Sequence, residues 1–91
     1  MAYRIEIDKG ATKALGELPG KARRQIAGRI DELADNPFPA GTERLEGAPN
    51  LWRIRSGDYR IIYTVAENKL LVLVLYIAHR KEVYDYLRRF T

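Results

Sequence analysis

The segment Leu51-Trp52-Arg53-Ile54-Arg55-Ser56-Gly57-Asp58-Tyr59-Arg60-Ile61-Ile62-Tyr63-Thr64-Val65 decides how the chain folds. Two alternating runs flank Ser56-Gly57-Asp58, the pattern of two antiparallel strands joined by a tight turn. Successive side chains of a strand point to opposite faces. Trp52 and Ile54 therefore share a face, with Leu51, Arg53 and Arg55 opposite. On the second strand Tyr59, Ile61, Tyr63 and Val65 share a face, leaving Arg60 with Ile62 and Thr64. If the two apolar rows pack together, Arg53, Arg55 and Arg60 collect on the other side. Like charges on neighbouring strands destabilise a sheet. A bound phosphate offsets that cost, because guanidinium forks match phosphate oxygens two at a time.

After the hairpin, Glu67-Asn68 turns the chain into Leu70 to Ala78, apolar on both faces as in a central strand covered on both sides. A short helix from about Lys81 to Arg89 follows. Before the hairpin, Asn36-Pro37-Phe38-Pro39-Ala40-Gly41 marks an irregular connection. It is preceded by a helix over about Lys21 to Ala34 with Ala22, Ile26, Ile30 and Leu33 on one stripe. An earlier helix, capped by Asp8, places Ala11, Ala14, Leu15 and Leu18 at helical spacing and ends at Leu18-Pro19-Gly20. The chain opens with Tyr3-Arg4-Ile5-Glu6-Ile7, an alternating strand. The predicted order is β-α-α-β-β-β-α, an α+β domain with a helix hairpin on an antiparallel sheet. At 91 residues this is one domain, residues 1–91, with one core.

Composition narrows the function. Sixteen Lys and Arg against twelve Asp and Glu give a net charge of +4, which favours a polyanionic partner or an acidic protein. The absence of cysteine excludes disulfides, thiolate metal sites and cysteine nucleophiles. One histidine and scattered carboxylates offer no metal cluster, so neither metal nor cofactor is expected. No apolar run spans a bilayer and no signal peptide is seen, so a cytoplasmic location and no membrane partner are expected. Two further placements of charge stand out. The second helix begins with Lys21, Arg23 and Arg24, against the preference of its dipole, which suits either a solvated face on a helix carried by its apolar stripe or a surface touching RNA backbone. After the central strand, His79-Arg80-Lys81-Glu82-Val83-Tyr84 brings Arg80 and Tyr84 toward the arginine face.

Arg44-Leu45-Glu46-Gly47, Trp52-Arg53-Ile54-Arg55, Asp58-Tyr59-Arg60-Ile61-Ile62-Tyr63 and His79-Arg80-Lys81-Glu82-Val83-Tyr84 together resemble the RelE/ParE toxin superfamily, over essentially the whole chain and nearest its RelE branch. The resemblance implies the toxin of a type II toxin–antitoxin system. It implies a ribosome-dependent endoribonuclease that enters the 30S A site and cuts mRNA, inhibiting translation. Arg53 and Arg55 stand where RelE has two active-site lysines, Arg60 and Arg80 match its arginines, and Tyr84 matches its C-terminal tyrosine. The family reaction is a metal-free attack of the ribose 2′-hydroxyl on the neighbouring phosphate, which needs a base, an acid and cations around phosphorus. Arginine is a poor base. His79 is therefore the expected proton-transfer group, with Glu46 and Glu82 as alternatives. A cognate antitoxin is the implied protein partner. The competing expectations are a ParE-like inhibitor of DNA gyrase without nuclease activity and a module that only binds.

Overall fold

The computed structural model describes residues 2–88, and of residues 84–87 the backbone only. Strand β1 (Arg4–Ile7) leads into helices α1 (Lys9–Glu17) and α2 (Gly20–Asp35). Strands β2 (Glu43–Arg44), β3 (Trp52–Ser56), β4 (Tyr59–Ala66) and β5 (Leu71–His79) follow, and α3 (Arg80–Leu87) comes last. The Asp8 carboxylate caps α1 by accepting the Gly10 N–H at 3.1 Å, as its position before the first apolar residue predicts. The expected terminal helix is this α3, and its expected end at Arg89 lies outside the described residues. No described helix is long and apolar enough to cross a membrane.

The sheet runs β1-β5-β4-β3-β2. Its heart is the meander: β3 pairs antiparallel with β4, and β4 with β5. Gly57, with φ of 60°, begins the two-residue turn between β3 and β4, a conformation that glycine adopts without steric cost. In two respects the sheet differs from the expected one. It is mixed, because β1 lies parallel to β5, with Ile5 beside Val72 and Ile7 beside Val74. It also has a fifth strand, β2, which pairs Glu43 with Arg53 and Arg44 with Trp52.

Strand alternation sorts the core into two layers. On one face Ile54, Ile61, Tyr63, Val72, Val74 and Ile77 pack with Ile26, Ile30 and Leu33 of α2 and Ala11 of α1. On the other, Ile62 and Ala78 meet Val83 of α3 and Leu45, Ala48 and Leu51 of the loop between β2 and β3. Both faces are thus covered, which explains the unbroken apolar run of β5. The second cover is partial, and the uncovered part of that face holds the arginines.

Candidate anion site on the second sheet face

The hairpin register puts Arg55 opposite Arg60 and Arg53 opposite Ile62. Ile62 is fully buried in the second apolar layer, so Arg53, Arg55 and Arg60 leave the sheet on that side. Helix α3 begins there and brings Arg80 and Lys81, while β2 brings Glu43. These side chains, with Val83, line a cavity of about 470 Å³. Five cationic groups from three elements and one carboxylate therefore share one concavity.

Two of the arginines, Arg60 and Arg53, are held by hydrogen bonds. Arg60 bends back so that its Nη1 donates to the carbonyls of Gly57 at 3.1 Å and Tyr59 at 3.0 Å. Its pKa is lowered by burial first, then by the charges of Arg55, Arg53 and Arg80. An arginine keeps its charge under such pressure. Beyond burial, the part that Arg55, Arg53 and Arg80 contribute reflects like charges crowded at that point, which an anion relieves. Arg53 donates from Nη2 to Oε2 of Glu43. That bond, reinforced by the charge of Arg53 and by Arg55 and Arg60, holds the Glu43 carboxyl below the usual carboxylate range against a small effect of burial. From the far layer, Arg29 of α2 donates through Nε to the Arg55 carbonyl at 3.2 Å and through Nη1 to Glu32 at 2.7 Å. The end of β3 is thus tied down without occupying the face on which Arg55 emerges.

The structure brings together Arg53, Arg55, Arg60 and Arg80 of the expected set. Tyr84 lies on α3, its side chain outside the described part. It does not bring His79 there. His79 pairs with Tyr59 across β4 and β5, so its side chain belongs to the helix-covered face. Its ring stands edge-on to Tyr59, with centroids 5.8 Å apart and planes at 80°. It lies in a separate cleft with Glu17, Leu18 and Glu82. The alternation that gathers the arginines sends His79 the other way, because Arg60 pairs with Ala78, one residue before it. Glu82 lies in the His79 cleft, and Glu46 borders another depression, formed by Arg44 to Pro49. None of the three expected proton-transfer groups lines the arginine cavity.

Lys21, Arg23 and Arg24 are exposed on α2, in the layer on the opposite side of the sheet, and Arg23 donates to the Gly16 carbonyl at 3.5 Å. They form a surface of their own. Sequence reasoning missed Glu43 and Lys81. Lys81 stands next to Arg80 in the run from His79 to Tyr84. Glu43 belongs to a two-residue strand, too short for any periodicity, and its only signal is that it borders Arg44-Leu45-Glu46-Gly47.

Chemically, five cationic groups around one concavity can hold a phosphate oxyanion, and one carboxylate and one ammonium stand among them. Comparison with known proteins gives the family. The family described as ParE toxin of type II toxin–antitoxin system, parDE, matches residues 5–84. The chain is 32% identical over 89 residues to the mRNA interferase toxin RelE of Escherichia coli (strain K12), covering 93% of each chain. It superposes with a TM-score of 0.78 on the archaeal RelE–RelB complex from Pyrococcus horikoshii OT3, at 35% identity over 88% of this chain and 97% of the other. Against the isolated E. coli RelE toxin the TM-score is 0.75, at 28% identity over 99% and 100% of the two chains.

Proposed function

The chain belongs to the RelE/ParE superfamily of type II toxins, and from that membership we propose that it is an endoribonuclease that cleaves mRNA in the ribosomal A site. One observation carries this reading: Arg53, Arg55, Arg60 and Arg80 converge on one cavity beside a carboxylate, where folding alone gives them no reason to gather. A cut at a phosphodiester uses that set directly. The ribose 2′-oxygen attacks phosphorus, the new 2′-O–P bond forms, and the P–O5′ bond breaks to leave a cyclic phosphate. Arg55, Arg60 and Arg80 neutralise the charge that builds on the phosphoryl oxygens. Glu43 accepts the 2′-hydroxyl proton, and the Lys81 ammonium gives one to the departing 5′-oxygen. Arg53 orients Glu43 through their mutual bond, and Tyr84 stacks on a base of the strand.

The partner follows from the same membership. A cognate antitoxin holds this chain in check, as RelB accompanies RelE in the archaeal and E. coli complexes, and the basic cavity suits an acidic segment. The ParE-like alternative is favoured by the family description alone. The two readings separate cleanly. Purified protein is added to programmed ribosomes, with 5′-end mapping of the message, and in parallel to a gyrase supercoiling reaction. Discrete A-site cuts that vanish with Arg60→Ala and unchanged supercoiling support the nuclease. Intact message with blocked supercoiling overturns it in favour of the gyrase inhibitor.

A further inference from the structure

The junction between β5 and α3 is where the two sheet faces communicate. Helix starts leave backbone N–H groups without helical partners, and here two consecutive ones are taken. The Arg80 N–H donates to the Asp58 carbonyl at 2.7 Å. The Lys81 N–H donates to Nδ1 of His79 at 3.3 Å. The residue before a helix normally does this with a hydroxyl, carboxylate or amide oxygen. His79 does it with a ring nitrogen, while Tyr59 fixes the ring from the paired strand. The cap sits on the helix-covered face, yet the residues whose backbone it orders, Arg80 and Lys81, deliver their side chains into the arginine cavity.

We infer that His79 is a positioning residue: its imidazole caps α3 and thereby holds Arg80 and Lys81 in register with Arg60 across the sheet. The inference rests on the reading of the arginine cavity as a phosphodiester site. The hairpin turn completes the linkage, since Gly57 and Asp58 supply adjacent carbonyls to the Arg60 side chain and the Arg80 backbone. Capping requires Nδ1 to be an acceptor, so the ring carries its proton on Nε2. A doubly protonated ring has no acceptor, and the cap is lost. The charged and titratable groups around the ring are Glu17 from α1, Tyr59 from β4, and Lys81 and Glu82 from α3. The cap acts on the cavity through the start of α3, and His79 itself never touches the substrate.

Two variants test this. His79→Ala removes the cap; His79→Asn replaces it with a residue that caps helices well. The Lys81 amide is read by hydrogen exchange, which needs no ligand. Binding is read by NMR titration of the Arg80 side chain with a short RNA whose scissile 2′-hydroxyl is replaced by hydrogen. His79→Ala is expected to lose Lys81 protection and to weaken binding about fivefold, the size of one cap. His79→Asn keeps both within about twofold of the original chain. The inference is overturned if His79→Ala keeps Lys81 protection and binding, or if His79→Asn is as damaged as His79→Ala. Failure of the original chain to cut ribosomal message, with these binding and exchange differences intact, counts against the nuclease reading and not against the cap.

Discussion

Arg55 and Arg60 stand directly opposite each other on β3 and β4, two guanidinium side chains on one face of a two-residue hairpin. Cross-strand pairs of like charge work against the sheet by about 0.2–1 kcal/mol. The hairpin nevertheless forms, because the reverse faces of the same strands bury Ile54 against Ile61 and Trp52 against Tyr63. The arginine pair is a local conflict tolerated for the sake of the site.

Arg55→Ala should therefore separate stability from activity. Arg55 is exposed and its side chain makes none of the hydrogen bonds that hold the fold. Its removal relieves Arg60, so thermal stability is unchanged or higher by up to about 1 kcal/mol. Single-turnover cleavage on programmed ribosomes falls on the order of 10²-fold, as for loss of one group that stabilises transition-state charge. Destabilisation accompanied by normal cleavage would refute the assignment.

Glu43→Gln tests the proton acceptor that geometry substitutes for His79. Arg53 keeps the Glu43 carboxyl below the usual carboxylate range, so it is ionised throughout the neutral and mildly acid region. Its folded pKa is depressed, so any stabilisation it brings is present above the ordinary carboxylate pKa and is lost as pH falls through the lowered value. The pair is exposed and that contribution is small. Cleavage is the informative readout: Glu43→Gln lowers it about 10²-fold or more throughout the region where the carboxylate is ionised while leaving Tm within about a degree. A rate within twofold of the original chain removes Glu43 from the proposed mechanism.

Much of this site was legible because it depends on local alternation. Once Trp52, Ile54, Tyr59, Ile61 and Tyr63 are read as one buried layer, Arg53, Arg55 and Arg60 have only one side left. The element order followed from the same periodicities and from Asp8, Pro19 and Gly57 at the breaks. What escaped depends on relations between distant segments. The parallel seating of β1 on β5 leaves no mark in either strand, because alternation specifies a face and not a neighbour's direction. Strand β2 exists only because Glu43 and Arg44 find Arg53 and Trp52. His79 was grouped with Arg80 because they are adjacent, but adjacent residues at a strand end point to opposite faces.

The basic start of α2 is open to a different test. Lys21 and Arg24 lie in the helix layer, on the other side of the sheet from the cavity, so their proposed role is contact with ribosomal RNA rather than chemistry. Lys21→Glu with Arg24→Glu places one acid in the first turn, where the helix dipole favours it, and stability rises by about 0.3–1 kcal/mol, chiefly from position 21. Ribosome association weakens about tenfold and becomes less dependent on salt, whereas the cleavage rate at saturating ribosome is unchanged. A lower saturating rate with unchanged association would place these residues in the site instead.

Tyr63→Phe probes the opposite layer. The Tyr63 hydroxyl, fully buried, donates to the Pro37 carbonyl at 2.7 Å and lies 3.4 Å from the Thr42 hydroxyl. It pins the irregular loop to the sheet just before β2, which carries Glu43. Deleting it leaves the Pro37 carbonyl without that partner and costs about 1–3 kcal/mol, read by denaturant melting. Burial pushes the Tyr63 phenol above its ordinary value. In the unfolded chain it therefore ionises first, so the hydroxyl's contribution is complete below about pH 10 and shrinks as pH rises from there. The stability gap between the two proteins should narrow in that interval. A gap that holds constant or widens would show that the hydroxyl is not the buried donor that secures the loop.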